Sequence, residues 1–235
     1  MLPDPASETA LLPTILHEEE HWFVVAKPAG LHTVDQPNSD APSVESWLRA
    51  LRPDRADIEE CGLVHRLDFD TSGCVIVAKT SKARGWLREA FSGRGGDIRK
   101  IYLARVEGGF ADRVLAGSFT LGFASRHKRS AKVSVSPRGE PDEIGRCRWQ
   151  VRSTGHVGAL ATTLLEVELL GPGRRHQIRA GMAHEGHPLV GDTLYGAQPL
   201  GSVDAPIRGI HLHAWRVEVD GIAVECSPPA WAQTR

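Results

Sequence analysis

The strongly apolar segments of this sequence are short and rich in β-branched residues, which limits the folds that it can adopt. Each of the main ones is six to ten residues long and bounded by polar, Gly or Pro positions. Segments of this length and composition are typical of β-strands. They lie at residues 22–27, 74–80, 100–108, 162–170 and 210–219, and residues 221–229 read as the hairpin return of the last one.

Helical patterns are fewer. Residues 44–51 place apolar side chains at helical spacing behind Ser43, a good N-cap, and residues 82–92 follow Ser81 in the same way. A third helix is predicted at 174–186, after a glycine turn, and short strands and loops are predicted at 111–160. Because strands do not alternate regularly with helices, the sequence favours an α+β fold with a mixed, largely antiparallel sheet.

Composition is that of an ordinary folded protein. Hydrophobic residues make up 41% and charged residues 24% of the 235 residues, so neither disorder nor membrane residence is indicated. The acidic N-terminus lacks the features of a secretory signal, and the four cysteines show no CxxC spacing. These observations predict a soluble protein of the reducing cytoplasm, without a disulfide framework or structural zinc. Since the net charge is −1, any binding to nucleic acid must depend on local basic patches.

One segment concentrates polar side chains between two apolar runs. It is HRLDFDTSG at residues 65–73, which leads directly into the apolar run at 74–80. Loops at the end of a buried sheet are common places for functional sites. A tight turn is an equally good interpretation of the pattern alone, with Asp70, Thr71 and Ser72 bonding backbone groups and Gly73 in an unusual conformation.

Residues 65–73 closely resemble the HRLDxxTSG signature of the RluA-type pseudouridine synthases (RluA, RluC and RluD). The resemblance continues, in family order, through the segments at 27–31, 100–108, 173–179, 186–196 and 212–215. It implies a pseudouridine synthase fold, in which a mixed, mostly antiparallel sheet with flanking helices carries a central catalytic cleft. It also implies one catalytic domain at 16–235 behind an N-terminal extension at 1–15, without the S4 module of many relatives.

The same resemblance implies roles for particular residues. Asp68 corresponds to the catalytic aspartate, Tyr102 to the aromatic residue that stacks on the target uracil, and Arg179 to the cation that pairs with the aspartate. Arg66 corresponds to the arginine that helps to displace the target nucleotide. Conversion of uridine to pseudouridine involves no net redox change and no group donor, so no cofactor is expected. A carboxylate can act on C1′ only when ionised, and a neighbouring arginine favours the ionised form.

Two of these positions have other interpretations. A tyrosine in an apolar strand such as 100–108 more often packs in the core, and residues 174–186 could be a solvated basic helix in which Arg175 and Arg179 share a face. The sequence departs from the family pattern at two places. Arg175 stands where the family usually has threonine or a similar small residue, and Gly181 stands where it has histidine.

Further basic residues are candidate contacts to RNA phosphates. A solvated loop is an alternative interpretation for any one of them. The candidates are His65, Lys100, Arg175, Arg126, Lys128 and Arg129, with Arg94, Arg99, His127 and Lys132 nearby. The expected partner is ribosomal or transfer RNA, and a monomer with no membrane or obligatory protein partner is predicted.

Other classes of protein fit the sequence less well. The DTSG at 70–73 lacks the second copy that an aspartic protease needs. His184 and His187 lack HExxH spacing and a third ligand, so no metal site is predicted. The sequence contains no GxSxG motif, the pattern that would indicate a serine hydrolase. The alternative that stays open is a non-catalytic RNA-binding protein on the same scaffold.

Overall fold

The computed structural model of the protein describes residues 12–37, 39–111, 114–125, 130–199 and 209–233. The strands are β1 (Thr14–Glu18), β2 (Trp22–Lys27), β3 (Ser72–Ala78), β4 (Ile98–Glu107), β5 (Ala116–Ala124), β6 (Ser134–Ser136), β7 (Ile144–Val157), β8 (Leu160–Leu170), β9 (Leu212–Val219) and β10 (Ile222–Glu225). The helices are α1 (Val44–Leu51), α2 (Ser81–Phe91) and α3 (Gln177–His184).

All of these strands belong to one sheet, in the order β1-β2-β3-β9-β4-β8-β7-β5-β6, and β10 pairs with β9. The β3–β9 pair is parallel, with Ser72 opposite His213, and the other pairs are antiparallel. The predicted α+β fold with a mixed, mostly antiparallel sheet is therefore confirmed. The parallel pair brings the segment that precedes β3 against a strand from much later in the chain.

Helices cover both faces of the sheet around β3. Val75 and Val77 pack in the same cluster as Val44 and Leu48 of α1, whereas Ile76 packs with α2 on the other face. Alternate side chains of a strand point to opposite faces, so a strand covered on both sides must be apolar throughout. This explains the continuous apolar run at 74–78.

The predicted helices exist, but two of them begin at other residues. Ser43 caps α1 as predicted, with its side chain accepting from Ser46 N. The cap of α2 is Thr80, whose hydroxyl accepts from Ala83 N at 3.0 Å, and not Ser81. Helix α3 begins only at Gln177, because the residue before it is in the left-handed conformation. The prediction that residues 175 and 179 share a helix face is therefore wrong.

The prediction of short strands and loops at 111–160 is also wrong in part. Strand β7 is 14 residues long and β5 is nine. On β7 the outward positions are mainly polar, and the inward ones include Gly145, Cys147 and Ser153. Trp149 and Val151 are larger inward side chains that pack against the core, but the small or polar inward positions on either side of them interrupt the apolar periodicity, which explains why the pattern did not indicate a long strand. No helix in the described part of the chain is long and apolar enough to cross a membrane.

Candidate active site

A cavity of about 400 Å³ opens where the loop before β3 meets β4 and the start of α3. Asp68, Tyr102 and Arg179 all line it. Three residues that are far apart in the sequence, and that the sequence predicts as a catalytic set, therefore share one pocket. Its volume lies within the range of small-ligand sites in proteins.

The loop that carries Asp68 is held by hydrogen bonds on both sides. The hydroxyl of Thr33 donates to Leu67 O at 2.8 Å and accepts from Leu67 N at 3.0 Å. On the other side Thr71 N donates to Asp68 O at 3.1 Å, which closes a turn. Ser72 Oγ then lies 2.8 Å from His213 Nδ1 on β9. The parallel β3–β9 pair thus fixes the end of the loop.

A buried ammonium lies beneath this loop. Lys27 is 1% exposed, and its Nζ donates to the carbonyls of Pro28 at 2.9 Å, Leu31 at 2.6 Å and Phe69 at 3.1 Å. Burial lowers the pKa of Lys27 to about 8, against the opposing influence of Asp70 and Asp68. The side chain is therefore still mainly charged at neutral pH, and it joins residues 27–31 to the loop of Asp68.

Two carboxylates share the guanidinium of Arg179. Its Nη1 donates to Asp68 Oδ2 at 2.9 Å, while Nε and Nη2 donate to Asp192 Oδ2 at 2.7 Å and Oδ1 at 3.0 Å. The aromatic ring of Tyr195 lies 5.5 Å from the guanidinium carbon. Burial acts to lower the pKa of Arg179, but Asp192 and Asp68 raise it overall. Arg179 is therefore a permanent cation with a fixed orientation.

His176 is a further neighbour of Asp68. Its Nε2 lies 3.7 Å from Asp68 Oδ2, and its Nδ1 lies 2.8 Å from the hydroxyl of Tyr195. The backbone at His176 is left-handed, with φ 53°. Burial lowers the pKa of His176, and the charges of Arg179 and Arg175 act in the same direction.

The sequence interpretation assigned no role to Asp192, Tyr195 or His176, although they lie in the family-like segments 186–196 and 173–179. A signal was present for Asp192, which is an acidic residue directly after the apolar stretch Leu189–Gly191. An acid in such a context, buried to 1% exposure, needs a cationic partner. The sequence does not show that this partner is Arg179.

Tyr102 belongs to the core and to the cavity at once. It lies on β4 and is 8% exposed, and it packs with the main apolar cluster while lining the cavity. Burial, with a smaller contribution from Asp68, raises its pKa, so its hydroxyl stays neutral at physiological pH. Both interpretations of this residue, core tyrosine and cavity aromatic, describe part of its position.

The rim of the cavity is cationic. Arg66 is exposed there and forms no hydrogen bond or ion pair with any residue that the structure describes. Arg174 also lines the cavity and donates from Nε to Ile144 O at 2.9 Å. With Arg175 and Arg179, four arginines and one aspartate are among the described residues that line the cavity. A concave surface with this excess of positive charge attracts phosphate groups.

Arg175 is exposed, and its guanidinium is already engaged. Its Nη1 donates to Ser130 O at 2.7 Å and its Nη2 to Ala131 O at 3.1 Å. Arg175 therefore holds the segment that follows residues 126–129. The predicted contacts Arg126, Lys128 and Arg129, with His127, lie outside the described residues.

The positions of His65 and Lys100 argue against the phosphate contacts predicted for them. His65 stacks on Phe91, with ring centroids 4.2 Å apart, and its Nε2 accepts from Ile76 N at 3.1 Å. Burial lowers the pKa of His65 to about 3, so the ring is neutral. Lys100 is 3% exposed, and its ammonium donates to the carbonyls of Phe91 and Gly171. Both side chains support the wall of the cavity from below.

Arg99 is also engaged elsewhere. It pairs with Glu168 at 3.0 Å and Glu218 at 2.9 Å. Arg94 and Lys132 are exposed. The part of the predicted basic set that is free at the cavity mouth is thus smaller than the sequence indicates.

Comparison with known proteins shows the family of the chain. Residues 21–184 match the family described as RNA pseudouridylate synthase. The chain belongs to this family. It is 38% identical over 215 residues to a protein of Xylella fastidiosa named ribosomal large subunit pseudouridine synthase D, with 87% of this chain and 60% of that protein covered. A protein of the same name from Xanthomonas campestris pv. campestris is 36% identical over 231 residues, with 92% and 65% covered.

The fold is shared with solved structures of the family. Human RNA pseudouridylate synthase domain containing 1 superposes with a TM-score of 0.67 at 24% identity, with 97% of this chain and 86% of that chain covered. At this identity the likeness establishes the fold. The chain spans about 60% to 65% of the length of the two bacterial relatives.

Proposed function

We propose that this protein converts uridine to pseudouridine in structured RNA, with Asp68 as the group that acts on the sugar. The observation that supports this most directly is the 2.9 Å ion pair between Asp68 and Arg179 in a cavity walled by Tyr102. Arg179 binds and orients the carboxylate form of Asp68, which is the form that can attack C1′ or stabilise positive charge there.

The hydrogen bonding of Asp68 leaves one of its oxygens available. Oδ2 faces Arg179 and His176, whereas Oδ1 forms no hydrogen bond with any residue in the described ranges. In the proposed reaction the N1–C1′ bond breaks, the uracil turns and a C5–C1′ bond forms, while the proton of C5 is released to solvent and N1 takes up one from solvent. Atoms and electrons balance without a redox partner, so the proposal includes no cofactor.

The uridine must leave its helix before Asp68 can reach C1′. Displacement of a base from the stack costs a few kcal/mol. Tyr102 offers an aromatic surface that would regain part of this free energy by stacking on the uracil. Arg66 is exposed at the rim and unpaired among the described residues, which suits a side chain that replaces the flipped base. We assign those two roles to Tyr102 and Arg66.

Large-subunit ribosomal RNA is the first substrate to test, because both bacterial relatives are named for it, and transfer RNA is the second. Proteins read RNA mainly through shape, phosphate groups and splayed-out bases. The cationic rim supports recognition of that kind. We further propose that the protein acts as a monomer in the cytoplasm.

The test is release of tritium from large-subunit ribosomal RNA transcribed with uridine labelled at C5. We expect release by the wild-type protein and a loss of about three orders of magnitude or more in Asp68→Asn, since that change removes a group required in the transition state. Asp97→Asn, an equal change of charge at an exposed position before β4, is the control and retains activity. Sequencing that maps pseudouridine then identifies the target.

The rival function is a non-catalytic RNA-binding protein. That function predicts binding of the labelled RNA by the wild-type protein and by Asp68→Asn, with release by neither. The same experiment should be repeated with transfer RNA, so that the wrong choice of RNA is not mistaken for absence of activity. Absence of release from both RNAs would overturn the proposed function.

A further inference from the structure

A chain of polar contacts connects the backbone near residue 133 to Asp68. Val133 N donates to the hydroxyl of Tyr195 at 3.0 Å, and that hydroxyl lies 2.8 Å from His176 Nδ1. On the other side of the ring, His176 Nε2 lies 3.7 Å from Asp68 Oδ2. The imidazole therefore stands between a tyrosine and the proposed catalytic carboxylate.

The partners of His176 favour one tautomer. The Tyr195 oxygen accepts from a backbone N–H, so its own proton is available for donation to His176 Nδ1. A neutral imidazole whose Nδ1 accepts carries its proton on Nε2. This N–H faces Asp68 Oδ2. Catalytic hydrogen bonds are often long before substrate binds and shorten in the complex, and 3.7 Å is one small movement from a hydrogen bond.

Building on the proposed function, we propose that His176 is a positioning residue for Asp68. As a neutral imidazole locked by Tyr195 in the Nε2–H tautomer, it holds Oδ2 together with Arg179 and so directs Oδ1 toward the sugar. Two donors from different directions define the plane of a carboxylate, which a single N–H from Arg179 does not.

The charges around His176 determine what protonation of the ring does. Asp68 and Asp192 favour the imidazolium, whereas burial and the cations Arg179 and Arg175 oppose it. Donation from Tyr195 to Nδ1 opposes it further, because a protonated Nδ1 cannot accept this hydrogen bond and the Tyr195 hydroxyl would have to turn. An imidazolium would bind Oδ2 as a full cation and make Asp68 a weaker nucleophile, so the neutral ring is the active form.

Tyr195→Phe tests whether the hydroxyl of Tyr195 sets the tautomer of His176, since it removes the hydroxyl and keeps the ring beside Arg179. Single-turnover tritium release from the labelled ribosomal RNA should be measured with excess enzyme across acidic to alkaline pH. We expect a rate about tenfold lower near neutrality with unchanged affinity for the RNA. We also expect the acidic limb of the pH profile to move up by about one pH unit, because one hydrogen bond of ordinary strength corresponds to about one unit of pKa.

Two amide variants separate positioning from simple packing. In His176→Gln the side-chain NH₂ can take the place of Nε2–H, so we expect a rate within about threefold of wild type. Because glutamine does not titrate, residue 176 should make no contribution to the pH profile of this variant. In His176→Asn the shorter side chain does not reach Asp68, and we expect a rate as low as in Tyr195→Phe. His184→Gln, at the exposed last position of α3, is the control and behaves like wild type.

The outcomes distinguish this inference from the proposed function. A wild-type pH profile and rate in Tyr195→Phe, or equal rates in the Gln and Asn variants, would overturn the role of His176 while tritium release by the wild type leaves the proposed function standing. Thermal unfolding of each variant identifies loss of the fold. If the wild type releases no tritium from either RNA, the proposed function fails and this inference fails with it.

Discussion

At the scale of single residues, Asp192 determines how Arg179 presents itself to Asp68. It engages two of the five guanidinium N–H groups, at 2.7 and 3.0 Å, and an N–H of the third nitrogen, Nη1, donates to Asp68. A bidentate pair fixes the plane of an arginine. Asp68 therefore meets a cation whose orientation is fixed within the protein itself, while Asp68, at the cavity surface, keeps an oxygen free of described partners.

His65 gives a prediction of how the stability of the protein depends on pH. Its pKa is about 3 in the folded protein against 6.5 ordinarily. Below pH 6.5 the unfolded chain takes up a proton at His65 that the folded protein does not. The contribution of neutral His65 to the free energy of unfolding is therefore fully present above that pH and is lost as pH falls toward 3. Between neutral pH and about pH 4.5 this one group should lower the free energy of unfolding by about 2 to 3 kcal/mol.

The measurement is urea unfolding of wild type and His65→Asn at several pH values. Over that pH interval the free energy of unfolding of the variant should fall by about 2 kcal/mol less than that of wild type, whatever the stability of the variant at pH 7. His211, which burial also makes a weak base, contributes equally to both proteins. Exposed His156→Asn should follow wild type. Parallel pH profiles for wild type and His65→Asn are incompatible with a neutral, buried His65.

At the scale of elements, α3 packs unusually close to the sheet. A Cβ added at Gly181 would lie 2.3 Å from the ring of Phe119 on β5. Gly181 is one of the two positions where the sequence departs from the family pattern, and the close approach explains why a larger residue does not fit here. The tight contact also holds Arg179, two residues earlier on the same helix, at its depth in the cavity.

This contact predicts opposite effects for the same substitution in two helices. Alanine normally stabilises a helix interior by about 0.5 to 1 kcal/mol relative to glycine. Gly85→Ala in α2, where nothing lies within 4 Å of the added atom, should show this gain. Gly181→Ala should instead lower the free energy of unfolding by about 1 to 3 kcal/mol because it overpacks a closed contact. Denaturant unfolding measures the free energy of unfolding of both variants. An increase for both would show that the ring of Phe119 moves aside without a cost in stability.

The sequence predicts those elements whose local signals agree with their surroundings. Strand β3 and helix α1 carry strong apolar patterns, and their predicted positions agree with the structure. The start of α3 could not be predicted, because the sequence carries no local signal for the left-handed backbone at His176, whose side chain lies beside Tyr195 and Asp68 from other segments. The same holds for Lys100, since the basic pattern around it indicates charge but not that the ammonium lies on backbone carbonyls.

At the scale of the whole molecule, the proposed function requires that attraction to RNA be local. With a formal net charge of −1 the protein has no general field to gather a polyanion. Much of its positive charge is moreover neutralised within the surface, as in the pairs of Arg99 with Glu168 and Glu218. Orientation at the cavity mouth should therefore depend on a few unpaired cations.

The dependence of RNA affinity on salt tests this view. If Arg66 meets a phosphate or takes the place of a flipped base, Arg66→Gln should weaken binding and reduce the slope of log affinity against log salt by about 0.7. Lys82→Gln changes the same charge at an exposed position at the start of α2, away from the cavity, and should keep the wild-type slope. The measurement is a titration of labelled RNA at several concentrations of KCl. Equal slopes for the two variants would remove Arg66 from the RNA interface.

The place of β9 in the sheet has a consequence for the synthesis of the protein. This strand lies between β3 and β4, although about a hundred residues are translated after β4 before it leaves the ribosome. Until then the two parts of the sheet have no common edge, and Ser72 has no His213 to bind. Thr33 and Lys27 can hold the loop of Asp68 earlier, but this loop is joined to β4 within the sheet only when β9 is in place.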